Sequence, residues 1–315
     1  MRIVCLVPGG IGDQILFFPT LDDLKRYYPN AQIDVVVEPR AKNVYRVSKV
    51  VDEVLAFDFK DRNSLADWGN LVGNIRDREY DVAIYAGHNW VIGFLLWLSG
   101  ISTRIGYRGK RAFFLTNSVP HKSQQNAAAM YHDLLQGLGI NSPCPELAVN
   151  VPAADIDWAE TEMKRLGVQN SGYVLIDAGE SSPQAQATNQ IYPVANWQQI
   201  IQNFQQKQPD LPVVVVQASK EDRLPQILQS QSSVKITLPP DIGKLAAMIA
   251  GADLMVCTDS APIHLALAVQ TYTVALLGSK ETGMLPCDRF IALKSPTGRL
   301  SDISPQTVME RVWRG

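Results

Sequence analysis

The chain has 315 residues, 46 % apolar and 19 % charged, which is the composition of a folded globular protein and enough for one large domain or two ordinary ones. A formal net charge of −2 argues against a nucleic-acid-binding surface. Cys5, Cys144, Cys257 and Cys287 are scattered with no CxxC pair, which disfavours a disulfide framework or zinc site and suits a reducing cytoplasm.

The opening "MRIVCLV" is too short for a signal-peptide core and reads as a first buried strand. It runs into "GGIGD", after which Ile15, Phe18, Leu21 and Leu24 recur at helical spacing. Pro19 is expected to kink that helix or shape its first turns. "AQIDVVVEP", "VDEVLAFD", "YDVAIYAG" and "TRIGY" read as four more strands. "WVIGFLLWLSGI" (90–101) is about half as long as a membrane-spanning helix, so it reads as a buried helix or a membrane-facing patch. "AAMYHDLLQGLGI" reads as a helix that ends at glycine.

"NSPCPELAVNVPAADID" is rich in turn residues and is the candidate linker. Alternation then restarts. "YVLIDAG", "LPVVVVQAS", "DLMVCTD" and "YTVALLG" read as strands; "VANWQQIIQNFQQ", "IGKLAAMIAGA", "APIHLALAVQ" and "SPQTVMERVW" read as helices. Two such runs imply an α/β chain of two doubly wound parallel-sheet domains, 1–150 and 151–315, facing a cleft.

Charge is uneven. From Val82 to His132 there is no Asp or Glu, while Arg104, Arg108, Lys110, Arg111 and Lys122 fall there with His88, His121 and His132. The pattern fits an anionic ligand or surface and equally a solvated basic face.

Three loops at strand ends carry chemistry, because ligands of open parallel sheets bind beyond the carboxyl ends of the strands. In "GGIGD", glycines permit close backbone approach and a helix N-terminus offers free N–H groups. Gly10 and Gly12 match part of a dinucleotide fingerprint and Glu38 mimics its ribose-binding acid, but Ile15 stands where the third glycine belongs. Asp13 reads either as a helix cap or as a functional carboxylate. In "CTDSAPIHLALA", Asp259 and Ser260 precede Pro262; this reads as a capped helix with His264 on its first turn, or as a diphosphate site with Asp259 and His264 reaching the ligand. "LLGSKETG", with Gly278, is a weak third.

Several of these stretches, in this order, resemble glycosyltransferase family 9, the heptosyltransferase-like enzymes of lipopolysaccharide core synthesis. They are "GGIGDQILFFPTLDDLKRYYPNAQIDVVVEP", "TRIGYRGKRAFFLTNSVP" with "YHDLLQGLGI", and "GADLMVCTDSAPIHLALAVQTYTVALLG". The resemblance implies a GT-B fold of two Rossmann-like domains and inverting, metal-independent sugar transfer. It implies no cofactor: a nucleotide diphosphate sugar, ADP-linked by default, is co-substrate. It implies Asp13 as general base in an acceptor-binding first domain, and a nucleotide-sugar-binding second domain. An anionic glycan or glycolipid acceptor would meet Gly10, Gly12, Arg104, Arg108, Lys110, Arg111 and Lys122. The donor would meet Ser181, Lys220, Glu221, Asp259, Ser260, Ala261, His264 and Gly278.

Departures from the family pattern fall on the donor side. Gln190 stands where the family has a phosphate-contacting lysine, Tyr192 replaces a tryptophan, and Ala261 replaces a glycine. A catalytically weak or silent relative that binds a nucleotide or glycan, and a sugar-nucleotide epimerase of the same architecture, are the alternatives. A nicotinamide dehydrogenase fits worst. Nucleotide sugars and reduced cysteines place the chain in the cytoplasm, with a lipid-linked acceptor bringing it peripherally to the inner membrane face and no nucleic-acid partner.

Overall fold

The computed structural model describes residues 1–60, 63–109, 112–179, 191–219, 222, 224–231, 233–278 and 288–314. Contacts divide the chain into one unit of Met1–Asn150 and a second beginning at Val151.

In the first unit the elements run β1 (Arg2–Val7), α1 (Ile11–Tyr27), β2 (Gln32–Val37), β3 (Glu53–Ala56), α2 (Leu65–Asp77), β4 (Val82–Tyr85), α3 (Trp90–Leu98), β5 (Thr103–Tyr107), β6 (Asn117–Val119) and α4 (Ala127–His132). The strands form one parallel sheet in the order β3-β2-β1-β4-β5-β6. Leu6 is level with Val36 and Tyr85, and Tyr85 with Gly106, so the carboxyl ends of the inner strands share one edge. The order reverses between β1 and β4, the switch point where open α/β sheets bind ligands.

β1 is buried from Ile3 to Val7, as a strand covered on both faces must be. Along α1, Ile15, Phe18, Leu21 and Leu24 are buried as their spacing predicts. So are Gln14, Phe17, Thr20 and Asp23, because α1 is wedged between its sheet, α4 and a 3-10 helix at Pro39–Val47. The helix passes through Pro19, whose ring nitrogen cannot donate to the Ile15 carbonyl.

Several elements escape the sequence pattern. α2 buries only Leu71 and Ile75, too sparse a stripe to detect. β6 is a three-residue edge strand, and the Pro39–Val47 turns have no 3.6-residue period. The segment read as one helix is α4 followed by a 3-10 helix at Asp133–Leu138, ended by Gly139 at φ 79°. α3 is neither wholly buried nor wholly exposed: Ile92, Gly93 and Leu96 face inward while Trp90, Trp97 and Leu98 stay in solvent.

The second unit contains α5 (Ala153–Leu166), β7 (Val174–Asp177), α6 (Val194–Lys207), β8 (Val213–Val216), α7 (Leu224–Gln231), β9 (Lys235–Thr237), α8 (Ile242–Ala250), β10 (Leu254–Thr258), α9 (Pro262–Ala268), β11 (Thr273–Leu277), β12 (Phe290–Lys294) and α10 (Pro305–Arg314). Its parallel sheet runs β9-β8-β7-β10-β11-β12, so each sheet follows the order third, second, first, fourth, fifth, sixth. The end of the expected linker is in fact α5, begun after Pro152 and closed by Gly167 at φ 65°. On α6 the predicted face of Trp197, Ile200, Ile201 and Phe204 is buried in the core. Each half thus has the Rossmann-like, doubly wound parallel sheet that the resemblance implies.

Candidate active site

At the first switch point β1 ends at Val7 and α1 begins at Ile11 with Gly10 as its N-cap. Asp13 is therefore the third helical residue, not the N-cap expected from its neighbourhood. Its Oδ2 accepts from the Gly10 N–H at 2.8 Å, and its Oδ1 accepts from the Tyr131 hydroxyl at 2.9 Å. The carboxylate thus caps the helix and also stands, half-buried, where a ligand would lie. Gly9 has φ +122°, and a Cβ there would fall 2.4 Å from Asp13 Oδ2. Its missing side chain makes room for the protein's own carboxylate. A Cβ on Gly10 would meet only ordinary contacts, the first at 3.7 Å from Arg40 Nη2. Gly12 lies inside the first turn of α1.

The loop is locked from behind. Buried Gln14 donates to the Val7 carbonyl at 2.9 Å and accepts from Tyr45 at 2.8 Å. Tyr131 packs edge-on against Phe17, with ring centroids 5.8 Å apart. Burial first, then the Asp13 charge and hydrogen bond, push the Tyr131 phenol far above its ordinary range, so it remains a donor.

Beside this loop the ends of β4, β5 and β6 gather His88, Tyr107 and His121. His88 stacks on Tyr107 at 5.1 Å and meets His121 edge-on at 4.5 Å. Burial and the neighbouring His121 hold the His88 imidazole below its usual value of 6.5. A pocket of about 260 Å³ opens here, lined by His88, Asn89, Trp90, Tyr107 and Arg108 among others. Arg108 is exposed and has no side-chain partner among the described residues.

The expected basic cluster does not gather as a whole. Arg104 is level with Val4, towards the opening end of its strand, and its guanidinium donates to the carbonyls of Phe114 at 2.7 Å, Ile101 and Ser102. It braces a turn instead of facing the Asp13 loop. Lys122 is paired with Asp133 at 2.9 Å. His132 is buried against Asp23 at 2.8 Å, in a network with Ser142 and Arg26 that ties α4 to α1. Lys110 and Arg111 lie outside the described residues. Glu38 is buried and accepts from the Phe59 N–H at 3.1 Å, so it serves the fold where a ribose contact was the sequence analogy.

In the second unit the switch point lies between β7 and β10. Asp259 and Ser260 occupy the turn from β10 into α9 and His264 lies in the first turn of that helix, each half-buried. The N-cap is Ala261, with no side-chain cap; the Ser260 hydroxyl donates to the Thr258 carbonyl at 3.1 Å. The capped helix read from Asp259 and Ser260 is thus not what forms. Gly179, beyond β7, has φ +73°, and a Cβ there would fall 2.8 Å from Thr258 Oγ1. Burial first, then Asp177 and Asp259, push the Cys257 thiol well up, which places both carboxylates at one edge. A Cβ on Gly278 would lie 3.3 Å from the Gly298 carbonyl, so that glycine serves a backbone approach. Tyr192, at the position of the family's tryptophan, is a core residue: it donates to the Ile303 carbonyl at 2.9 Å and meets Trp197 edge-on. Ser181, Gln190, Lys220 and Glu221 lie outside the described residues.

Sequence reasoning missed Tyr131, Arg40 and Asp177. Tyr131 is 118 residues from Asp13, and nothing local announces the pair. Arg40 and Asp177 both sit at carboxyl ends of strands, β2 and β7, which was the available signal. Among the described residues no group of three His, Cys, Asp or Glu side chains could hold a metal ion.

Residues 68–298 match the pattern of glycosyltransferase family 9 (heptosyltransferase). Lipopolysaccharide heptosyltransferase 3 of Escherichia coli is 24 % identical over 86 % of this chain and 81 % of its own length. The photosynthetic NDH subunit of subcomplex B 1 of Arabidopsis thaliana, a chloroplast protein, is 23 % identical over 98 % of this chain and 72 % of its own. Among solved structures, the E. coli heptosyltransferase WaaC with ADP-2-deoxy-2-fluoro heptose superposes with a TM-score of 0.80 at 16 % identity, covering 100 % of this chain and 99 % of that one.

Proposed function

This chain belongs to glycosyltransferase family 9, and from that premise we propose that it is an inverting, metal-independent transferase with Asp13 as its base. It moves a heptose or similar sugar from a nucleotide diphosphate sugar to an anionic glycan or glycolipid acceptor of the cell envelope. The donor nucleotide first in line is ADP, because a relative of the same fold is solved with an ADP-heptose analogue. No cofactor enters.

The observation that carries this reading is the setting of Asp13. A carboxylate has two oxygens with about four acceptor positions, and Gly10 and Tyr131 occupy one on each oxygen. Positions remain for an acceptor hydroxyl. As that hydroxyl oxygen bonds to the anomeric carbon, its proton passes to Asp13 and the bond to the diphosphate breaks with its electron pair. The leaving diphosphate gains charge, and on this reading His264 and the Ser260 and Ala261 N–H groups of the β10–α9 turn meet it; Pro262 has no N–H, and those of Ile263 and His264 bond the Ser260 and Ala261 carbonyls. Arg108 and Arg40, both exposed, are the cations this reading assigns to an anionic acceptor. The chemistry suits the cytoplasmic side of a membrane.

A second reading is favoured by one observation: a relative covering nearly the whole chain is named as a subunit of an NDH subcomplex. On that reading this chain keeps the fold and a ligand-binding loop as an assembly protein with weak or no transfer. The two separate in a thermal-shift titration against ADP, UDP, GDP, CDP and dTDP, followed by a transfer assay. Stabilisation by ADP, worth about 2.7 kcal/mol at 100 times the dissociation constant, together with transfer that Asp13→Ala abolishes, supports the transferase. Absence of both stabilisation and transfer leaves the assembly reading.

A further inference from the structure

Among the described residues the Asp13 carboxylate has two donors, one on each oxygen: the Gly10 N–H on Oδ2 at 2.8 Å and the Tyr131 hydroxyl on Oδ1 at 2.9 Å. The outer torsion of an aspartate side chain is broad, so a single donor leaves the carboxylate able to swing. A donor on each oxygen sets its plane. Both donors are neutral. A contacting cation would strip the carboxylate of much of its basicity, whereas neutral donors orient it at a smaller cost.

Tyr131 is itself held in place. Its ring packs edge-on against Phe17, and the next residue, His132, bonds Asp23 at 2.8 Å, so α4 grips α1 at two carboxylates. The two grips differ. Asp23 is 1 % exposed and His132 4 %, which is how a tie that only holds the fold is built. Asp13 is half-buried at the ligand edge, and the buried Tyr131 ring sends its hydroxyl to that carboxylate. Burial and the Asp13 charge hold the phenol proton on, so Tyr131 stays a donor at neutral pH. The other titratable and charged groups facing the pair among the described residues are Tyr107 from β5 and Arg40 from the turn after β2.

We propose that Tyr131 is the positioning residue of Asp13: its hydroxyl, together with the Gly10 N–H, sets the carboxylate plane so that a remaining acceptor position meets the attacking hydroxyl. The inference rests on the reading of Asp13 as the base. Tyr131 keeps its own proton throughout. The acceptor proton ends on Asp13, the new C–O bond forms, and the diphosphate leaves with the electrons of the old one.

ADP release from ADP-heptose, followed across pH with deacylated lipopolysaccharide core as acceptor, tests it on the full chain, Tyr131→Phe, Asp13→Asn and the double variant. Tyr131→Phe keeps the ring against Phe17 and removes only the donor. Its kcat falls roughly 10–100-fold while KM changes by no more than about twofold. The acid limb of its kcat profile moves to higher pH by about one pH unit, because the carboxylate has lost a donor that favoured its charged form. The double variant is no slower than Asp13→Asn alone, because the two residues act as one unit. Should Tyr131→Phe not fold, 3-fluorotyrosine incorporated at Tyr131 keeps ring and hydroxyl with a more acidic phenol, and moves the acid limb to lower pH. The inference falls, with Asp13 still the base, if Asp13→Asn is inactive while the Tyr131 variants keep the wild-type kcat and pH profile, whatever their melting temperatures, or if the losses add in the double variant. A wild type that releases no ADP, or an Asp13→Asn variant at the wild-type rate, overturns the transferase reading and this inference with it.

Discussion

α3 and α9 occupy the same place in their two units, each following the fourth strand of an identically ordered sheet, yet they are built in opposite ways. α3 has its N-terminus closed by its own chain: the Asn89 side chain accepts from the Val91 N–H at 3.0 Å. It leaves four large apolar side chains of its length and neighbouring turn in solvent. α9 has Ala261 at its N-cap and no side-chain cap, and Ile263, Leu265 and Ala266 are wholly buried. The first unit fills its ligand edge with side chains, Asp13, Tyr131, His88 and Arg108. The second presents Asp177, Asp259 and His264 around a turn whose helix starts at Pro262, with the Ile263 and His264 N–H groups bonded to the Ser260 and Ala261 carbonyls. One architecture can thus carry different side chains at equivalent places on its two sheets, because the sheet fixes where loops emerge and the loops decide what they present.

The contrast breaks first at Asp13. Asp13→Asn keeps the size of the side chain but cannot take a proton, and transfer should fall by about 10²–10⁴-fold with little change in KM. If kcat survives, the first unit's edge binds without doing proton chemistry. Gly9→Ala is next. It forces a Cβ to within 2.4 Å of the Asp13 carboxylate at a left-handed φ, and should destabilise by about 1–3 kcal/mol in urea unfolding while also lowering kcat. A fully stable Gly9→Ala protein would contradict the geometry of that loop.

Capping sharpens the comparison of the two helices. Asn89→Ala should cost about 1 kcal/mol, because it removes a side-chain acceptor from α3. Ala261→Gly removes no cap, and a few tenths of a kcal/mol either way is expected at a helical φ of −56°. Equal losses at both sites, measured by denaturant midpoints, would erase the distinction. Ala261→Gly should also strengthen diphosphate binding in the thermal-shift titration if the methyl narrows the approach.

The smallest effect is in pH. His88 has a depressed pKa, so its protonation favours the unfolded chain, and its contribution is present above 6.5 and lost as pH falls through the lower folded value. Asp23 is likewise held below 3.8, so its contribution disappears only in stronger acid. His88→Gln should flatten the stability profile just below pH 6.5 and leave the acid end unchanged. A profile identical to wild type would remove His88 from the account.

The alternation of strand and helix was legible in the sequence because it is written in local periods: runs such as "RIVCLVP" and "LPVVVVQAS" bury both faces, and α6 repeats its apolar face every turn. The family motifs put Asp13 and Asp259 at strand ends, and both stand at carboxyl edges. Short or weakly periodic pieces, β6 and α2, left no such trace.

Tertiary structure alone decided the partners. Arg104 and Arg108 are four residues apart and look alike in sequence, but strand direction sends one towards the far end of the sheet, onto carbonyls, and the other to the ligand edge. Whether Gly9 makes room for a sugar or for Asp13, whether Glu38 meets a ribose or Phe59, and that Tyr131 reaches Asp13 across 118 residues are matters of register and packing. The sequence determined which elements form and which charges they carry, because those depend on neighbours along the chain. Which groups meet depends on neighbours through space, and only the folded sheets bring those together.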